Sequence, residues 1–141
     1  MQKLAALFFF TLLVSNAVAT SPLLIQYPSG GIYILLSYFS NGLYYGQKRW
    51  IPEPATFYNL FLDTQITQIG WIGYPNYFDG PAIDTLAILV QPIGLPDVYL
   101  LESGTLYRIS PNNFNGYGFN PNAIVFIQPY DLQTFKRGPL L

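Results

Sequence analysis

The chain contains no cysteine and no histidine, and its one methionine is the first residue. Those absences remove whole classes of chemistry: thiol or imidazole nucleophile–base pairs, His/Cys zinc sites, thiolate redox couples and disulfide frameworks. Charge is scarce as well, with 6 Lys plus Arg and 7 Asp plus Glu making up 9 % of 141 residues; a globular domain carries roughly 25 %. A net charge of −1 provides no basic footprint, so no nucleic-acid partner is expected. Also missing are the G-x-S-x-G nucleophile elbow, the phosphate-cradling G-x-x-x-x-G-K-[ST] loop, the dinucleotide G-x-G-x-x-G and any Asn-x-Ser/Thr sequon. Neither a cofactor nor a bound metal is expected.

What is present is apolar and aromatic: 51 % hydrophobic residues, with 12 Tyr, 11 Phe and 2 Trp. Part of that excess is N-terminal. Lys3 precedes the apolar run Leu4 to Val14, and Ala17-Val18-Ala19 gives a small-x-small cleavage pattern. This order predicts a signal peptide over residues 1–19, a mature start at Thr20 and a secreted, extracellular protein. Ser15, Asn16, Thr20, Ser21 and Pro22 interrupt the run, and no later apolar stretch is long enough to span a bilayer, so no transmembrane span is expected. Without residues 1–19 the apolar content falls to about 48 %, an ordinary globular value. Residues 20–135 are expected to form a single β-rich domain, and 136–141 a flexible C-terminal tail.

No window holds apolar residues at helical spacing over ten positions. Runs of four to eight residues bounded by Gly, Pro, Asn, Asp or Ser recur instead, which is strand-and-turn punctuation. Strands are predicted at Ile32–Phe39, Leu43–Tyr45, Lys48–Ile51, Thr56–Leu62, Ile66–Ile72, Thr85–Val90, Asp97–Glu102, Thr105–Ile109 and Ala123–Gln128. Ser40-Asn41-Gly42 and Ser103-Gly104 carry the chemistry of tight hairpin turns. A short helix near Ala82–Leu89 is the weaker alternative to the strand there. The fold class that follows is all-β, an antiparallel sandwich or open barrel of about seven to nine strands. The two Asn/Gly/Pro/aromatic loops, 73–81 and 111–121, do not align at a fixed period, so no solenoid or propeller follows.

Those loops supply the candidate binding residues Tyr74, Tyr77, Phe114 and Tyr117, whose rings suit a sugar face or a protein partner. Turn chemistry, with the aromatics covering the sheet ends, explains the same residues. Acid–base catalysis could only use the seven acids, and Asp79 and Asp84 are the one close pair beside a loop. Surface charge that keeps the chain soluble is the simpler account, so no catalytic residue is assigned. Lys48-Arg49 and Lys136-Arg137 have the form of convertase sites; a solvated strand end and a mobile tail account for them more simply.

Ile66-Thr67-Gln68-Ile69, the Asp79-Gly80 loop, Ala87-Ile88, Gln91-Pro92-Ile93-Gly94, Val98 to Ser103 and the strand at Ile124 to Ile127 follow one another in an order that resembles the MBF2 family of small secreted insect proteins. The resemblance spans about residues 60–130. Gln91-Pro92 stands where that family usually has Gly-Gly, and the basic-glycine run and closing Tyr-Gly are missing. It implies a secreted β-rich fold; the family's name comes from a transcriptional co-activator, whereas its members typically carry signal peptides. The function expected is non-enzymatic: protein or glycan binding in the extracellular space, or extracellular assembly with self-association. The alternatives are a carboxylate-only secreted hydrolase and an MBF2-like co-activator homologue.

Overall fold

β-Branched and aromatic runs cut by Gly, Pro and Asn can bury one face of a short strand, and that is how this chain is built. The computed structural model describes residues 23–40, 43–70 and 77–141. The expected signal peptide, the Asn41-Gly42 turn and Tyr74 lie outside the described residues. Ten strands and two short helices are described: β1 (Leu23–Gln26), β2 (Ile32–Ser40), β3 (Leu43–Ile51), α1 (Pro54–Leu60), β4 (Ile66–Gln68), β5 (Tyr77–Asp79), β6 (Ile88–Pro92), β7 (Val98–Glu102), β8 (Thr105–Ile109), α2 (Pro111–Gly116), β9 (Val125–Ile127) and β10 (Lys136–Arg137). They make two five-stranded sheets, β4-β1-β2-β3-β5 and β10-β8-β7-β6-β9, in a sandwich-like, all-β arrangement.

The same order runs twice. In each sheet three consecutive strands form an antiparallel meander, a helix follows, and two shorter strands then add parallel to the meander's first and last members. Thus β4 lies beside β1 and β5 beside β3, as β9 lies beside β6 and β10 beside β8. Hydrogen bonds repeat with the topology. Gly80 N donates to Lys48 O as Gly138 N donates to Leu106 O, and Ile83 N donates to Trp50 O as Leu141 N donates to Arg108 O. Sequence echoes follow: Leu24-Ile25-Gln26 with Leu89-Val90-Gln91, Ile32-Tyr33 with Val98-Tyr99, Gly80-Pro81 with Gly138-Pro139, and Pro-x-x-Phe at the start of each helix. β2 and β3 have nine residues each, whereas β7 and β8 have five. The longer first hairpin shifts the spacing along the chain, which is why no fixed period is visible in the sequence.

The halves meet across an approximate two-fold relation. Phe61 and Phe119 form an antiparallel bridge flanked by reciprocal bonds, Leu62 N to Gly118 O at 2.7 Å and Asn120 N to Leu60 O at 2.9 Å. Their rings stack at 4.8 Å between centroids. Around them one core joins Leu24, Ile34 and Ile51 of the first sheet to Leu89, Leu100 and Ile109 of the second. Each such side chain contributes roughly 1.5–3 kcal/mol on burial. Alternation sends the neighbouring residues outward, where Ile25, Leu35 and Tyr77 cover one sheet and Val90, Tyr99 and Leu106 the other.

Several local expectations change. Thr56–Leu62 is not a strand: Pro54 at the first helical position starts α1, which turns Thr56, Phe57 and Leu60 inward. The expected loop after Ser110 contains α2, for the same reason and with Ser110 Oγ accepting from Asn113 N. Ala82–Leu89 holds no helix: Thr85-Leu86 form a turn, and the strand expected from Thr85 begins at Ile88. Leu43–Tyr45 and Lys48–Ile51 are one strand. The strands expected at Ile66–Ile72 and Ala123–Gln128 are shorter, Ile66–Gln68 and Val125–Ile127, and residues 71–72 lie outside the described residues. The sheets are mixed rather than purely antiparallel, because β4, β5, β9 and β10 each add parallel to their neighbour. Residues 136–141 are not a free tail: Lys136 and Arg137 pair with β8, Ser110 N donates to Leu141 O, and Leu141 packs on the shared core. Arg49 is no solvated strand end, since it is buried in β3.

Candidate binding cleft between the two halves

A cavity of about 810 Å³ opens where the two halves meet. Period-2 alternation along β3 presents Gln47 and Arg49 to it, and the β7–β8 hairpin presents Glu102, Thr105 and Tyr107. The Pro81–Asp84 segment and its counterpart, Pro139–Leu141, close the sides, and α2 with its C-cap adds Asn113 and Tyr117.

Its floor is an ion pair joining the halves. Arg49 is 8 % exposed and Glu102 5 %. Arg49 Nη2 donates to both Glu102 oxygens at 2.8 Å, while Nε donates to Pro81 O at 2.7 Å and Nη2 also reaches Ala82 O at 3.1 Å. Glu102 Oε2 also accepts from Asp84 N at 2.8 Å. A buried pair with this many partners is satisfied, and its opposite charges cancel.

At the rim, Asp84 Oδ1 accepts from Leu86 N and Oδ2 from Ser103 Oγ. These bonds, the backbone one foremost, hold its carboxyl below the usual range. Tyr117 donates its hydroxyl to Leu35 O at 2.8 Å, and burial followed by the influence of Tyr77 raises its pKa. Other groups remain uncommitted. Arg49 Nη1, the side-chain amides of Gln47 and Asn113 and the Thr105 and Tyr107 hydroxyls make no hydrogen bond among the described residues.

Of the four aromatic candidates Tyr74 lies outside the described residues, and the other three form no exposed surface together. Tyr77 is buried in the outer cluster with Ile25 and Leu35. Phe114 is half-buried on the shared core, 5.6 Å from Phe119. Tyr117 is buried and also lines the cavity. Asp79 is exposed and 3.6 Å from Lys48, whereas Asp84 is at the cavity. The sequence reading missed Gln47, Arg49, Glu102, Thr105 and Tyr107 as a group. The one signal pointing to them is a strand-borne arginine in a chain with so few charges. Among the described residues no cluster of His, Cys, Asp or Glu could hold a metal ion, and no helix is long and apolar enough to cross a membrane. Comparison with known protein families, curated proteins and solved structures finds no match to this chain.

Proposed function

We propose that this protein is a secreted, non-enzymatic binding module whose cleft between the halves takes a short carbohydrate. The observation that supports this is the set of uncommitted amides and hydroxyls beside the Tyr107 ring and Arg49 Nη1 in one cavity of about 810 Å³. A sugar offers the complementary chemistry, hydroxyls for the amides and a C–H face for the ring. Titration with maltotriose, cellotriose and chitotriose, followed by amide chemical shifts, tests it. Binding of one of them should move signals of Gln47, Asn113 and Thr105, and Gln47→Ala should weaken it about fivefold, the worth of one hydrogen bond of ~1 kcal/mol. Shifts confined to other surfaces, or none, overturn the carbohydrate reading.

One observation favours a hydrolase: Asp84 and Glu102 line the same cavity. Their bonding weighs against it. A glycosidase acid needs a carboxyl held protonated near neutral pH, whereas Asp84 is depressed and Glu102 is engaged by a guanidinium and a backbone N–H.

Export is part of the proposal and rests on Lys3, Leu4 to Val14 and Ala17-Val18-Ala19. N-terminal sequencing of the mature protein should read Thr20 first, and an intact Met1 overturns it. The resemblance to the MBF2 family bears on export and β content, which this reading shares. Self-association belongs here too, since low charge leaves little repulsion between copies. Sedimentation velocity across a concentration series tests it, and a constant monomer overturns it.

A further inference from the structure

A second groove, about 460 Å³, is formed by the first half alone. Trp50 at the end of β3 and Tyr58 on α1 border it, 46 % and 62 % exposed. Pro52 and Pro54 flank Glu53 between them, and Asp63 lies on the same lining. Neither the Glu53 nor the Asp63 carboxylate has a hydrogen bond or ion pair among the described residues; the three ion pairs there are Lys48–Asp79, Arg49–Glu102 and Arg108–Asp97. Two free carboxylates thus share a concave surface with two exposed aromatic rings.

The second half provides an internal comparison. Matching the meanders places Arg108 at the position of Trp50 and Asp97 at that of Gly31. There the two side chains form an ion pair of 3.3 Å, so that half carries its own cation at this place. The first half has an indole and a glycine instead, and keeps its acids without a cation. We propose that this groove binds a lysine or arginine side chain of an extended partner polypeptide. The cation would lie on the Trp50 ring between the two carboxylates, with Tyr58 and the prolines against its aliphatic stem. The recognition is charge complementarity plus a cation–π contact. It does not depend on the carbohydrate cleft.

The test uses a fluorescent peptide, Gly-Pro-Arg-Pro-Arg-Pro-Gly, and its neutral isostere with citrulline in place of arginine. Fluorescence anisotropy should show the arginine peptide binding, the citrulline peptide about tenfold weaker, and the difference largely lost in about 0.5 M salt. Trp50→Ala and the double change Glu53→Gln/Asp63→Asn should each weaken the arginine peptide about tenfold with an unchanged thermal midpoint. Gln47→Ala, in the other cavity, should leave it unaffected. Equal binding of both peptides, full affinity in either groove variant, or no binding of the arginine peptide overturns the proposal.

Discussion

The Arg49–Glu102 pair sets what the cleft tolerates. Breaking a buried pair by removing one partner strands the other, at a cost of about 3–5 kcal/mol. Arg49→Met and Glu102→Leu should each lose that much in urea unfolding at pH 7, while the double variant should lose far less, since no charge is left buried. Tyr117 gives the molecule a pH dependence. Its folded pKa is raised above the ordinary 10.0, so its contribution is complete below pH 10 and is lost as pH rises toward the folded value. Tyr117→Phe should cost about 1 kcal/mol at neutral pH, where the bond to Leu35 is lost. That difference should shrink in denaturation series run above pH 10. Among the described residues Thr56 Oγ1 is a buried oxygen without a hydrogen-bond partner. Thr56→Val keeps the shape and should raise stability by about 1 kcal/mol in the same assay.

Among the elements, the helices are held by their first turns. They have seven and six residues, too few to be stable alone, and each begins with proline. Ser110→Ala removes the cap bond of α2 and should cost about 1 kcal/mol in thermal unfolding. Glu53 makes no side-chain cap bond, so its replacement should be close to neutral there. These lengths also explain what was legible in the sequence. β2, β7 and β8 announce themselves by apolar runs, and the Ser103-Gly104 turn has positive φ at both residues, as its composition requires. In α1, the residues Thr56, Phe57, Tyr58 and Leu60 have strand-like chemistry and span too few positions to show a 3.6-residue period. The overlooked signal was the cap, Ser110-Pro111 above all. β4, β5, β9 and β10 have only two or three residues and exist because a neighbour already offers its edge. The cleft was illegible for a different reason. Arg49 and Glu102 are 53 residues apart, and Arg49 looked like half of a basic dipeptide.

At the scale of the whole molecule, the halves share one core and cannot fold separately without exposing it. Phe57, Phe61 and Leu60 pack with Phe119 and Tyr117, and Tyr117 reaches across to Leu35. The chain cut after Leu86, which is exposed in a turn, should therefore yield two pieces without a cooperative transition of their own. Mixing them should restore one transition, read by circular dichroism during heating. A sharp transition in either piece alone would refute the shared-core account.

The ion pair gives this arrangement a direction. Under the two-fold relation Arg49 corresponds to Tyr107 and Glu102 to Leu36, so only one of the two symmetry-related places carries a pair. Two copies of the first half, docked on each other in the same way, would press each guanidinium against a leucine. Two copies of the second half would bury each carboxylate against a tyrosine. Only the unlike combination neutralises both charges, so the pair selects the docking of one half on the other. An interface built this way admits the unlike half and turns away the like one, so the pair works as a key cut for a single lock.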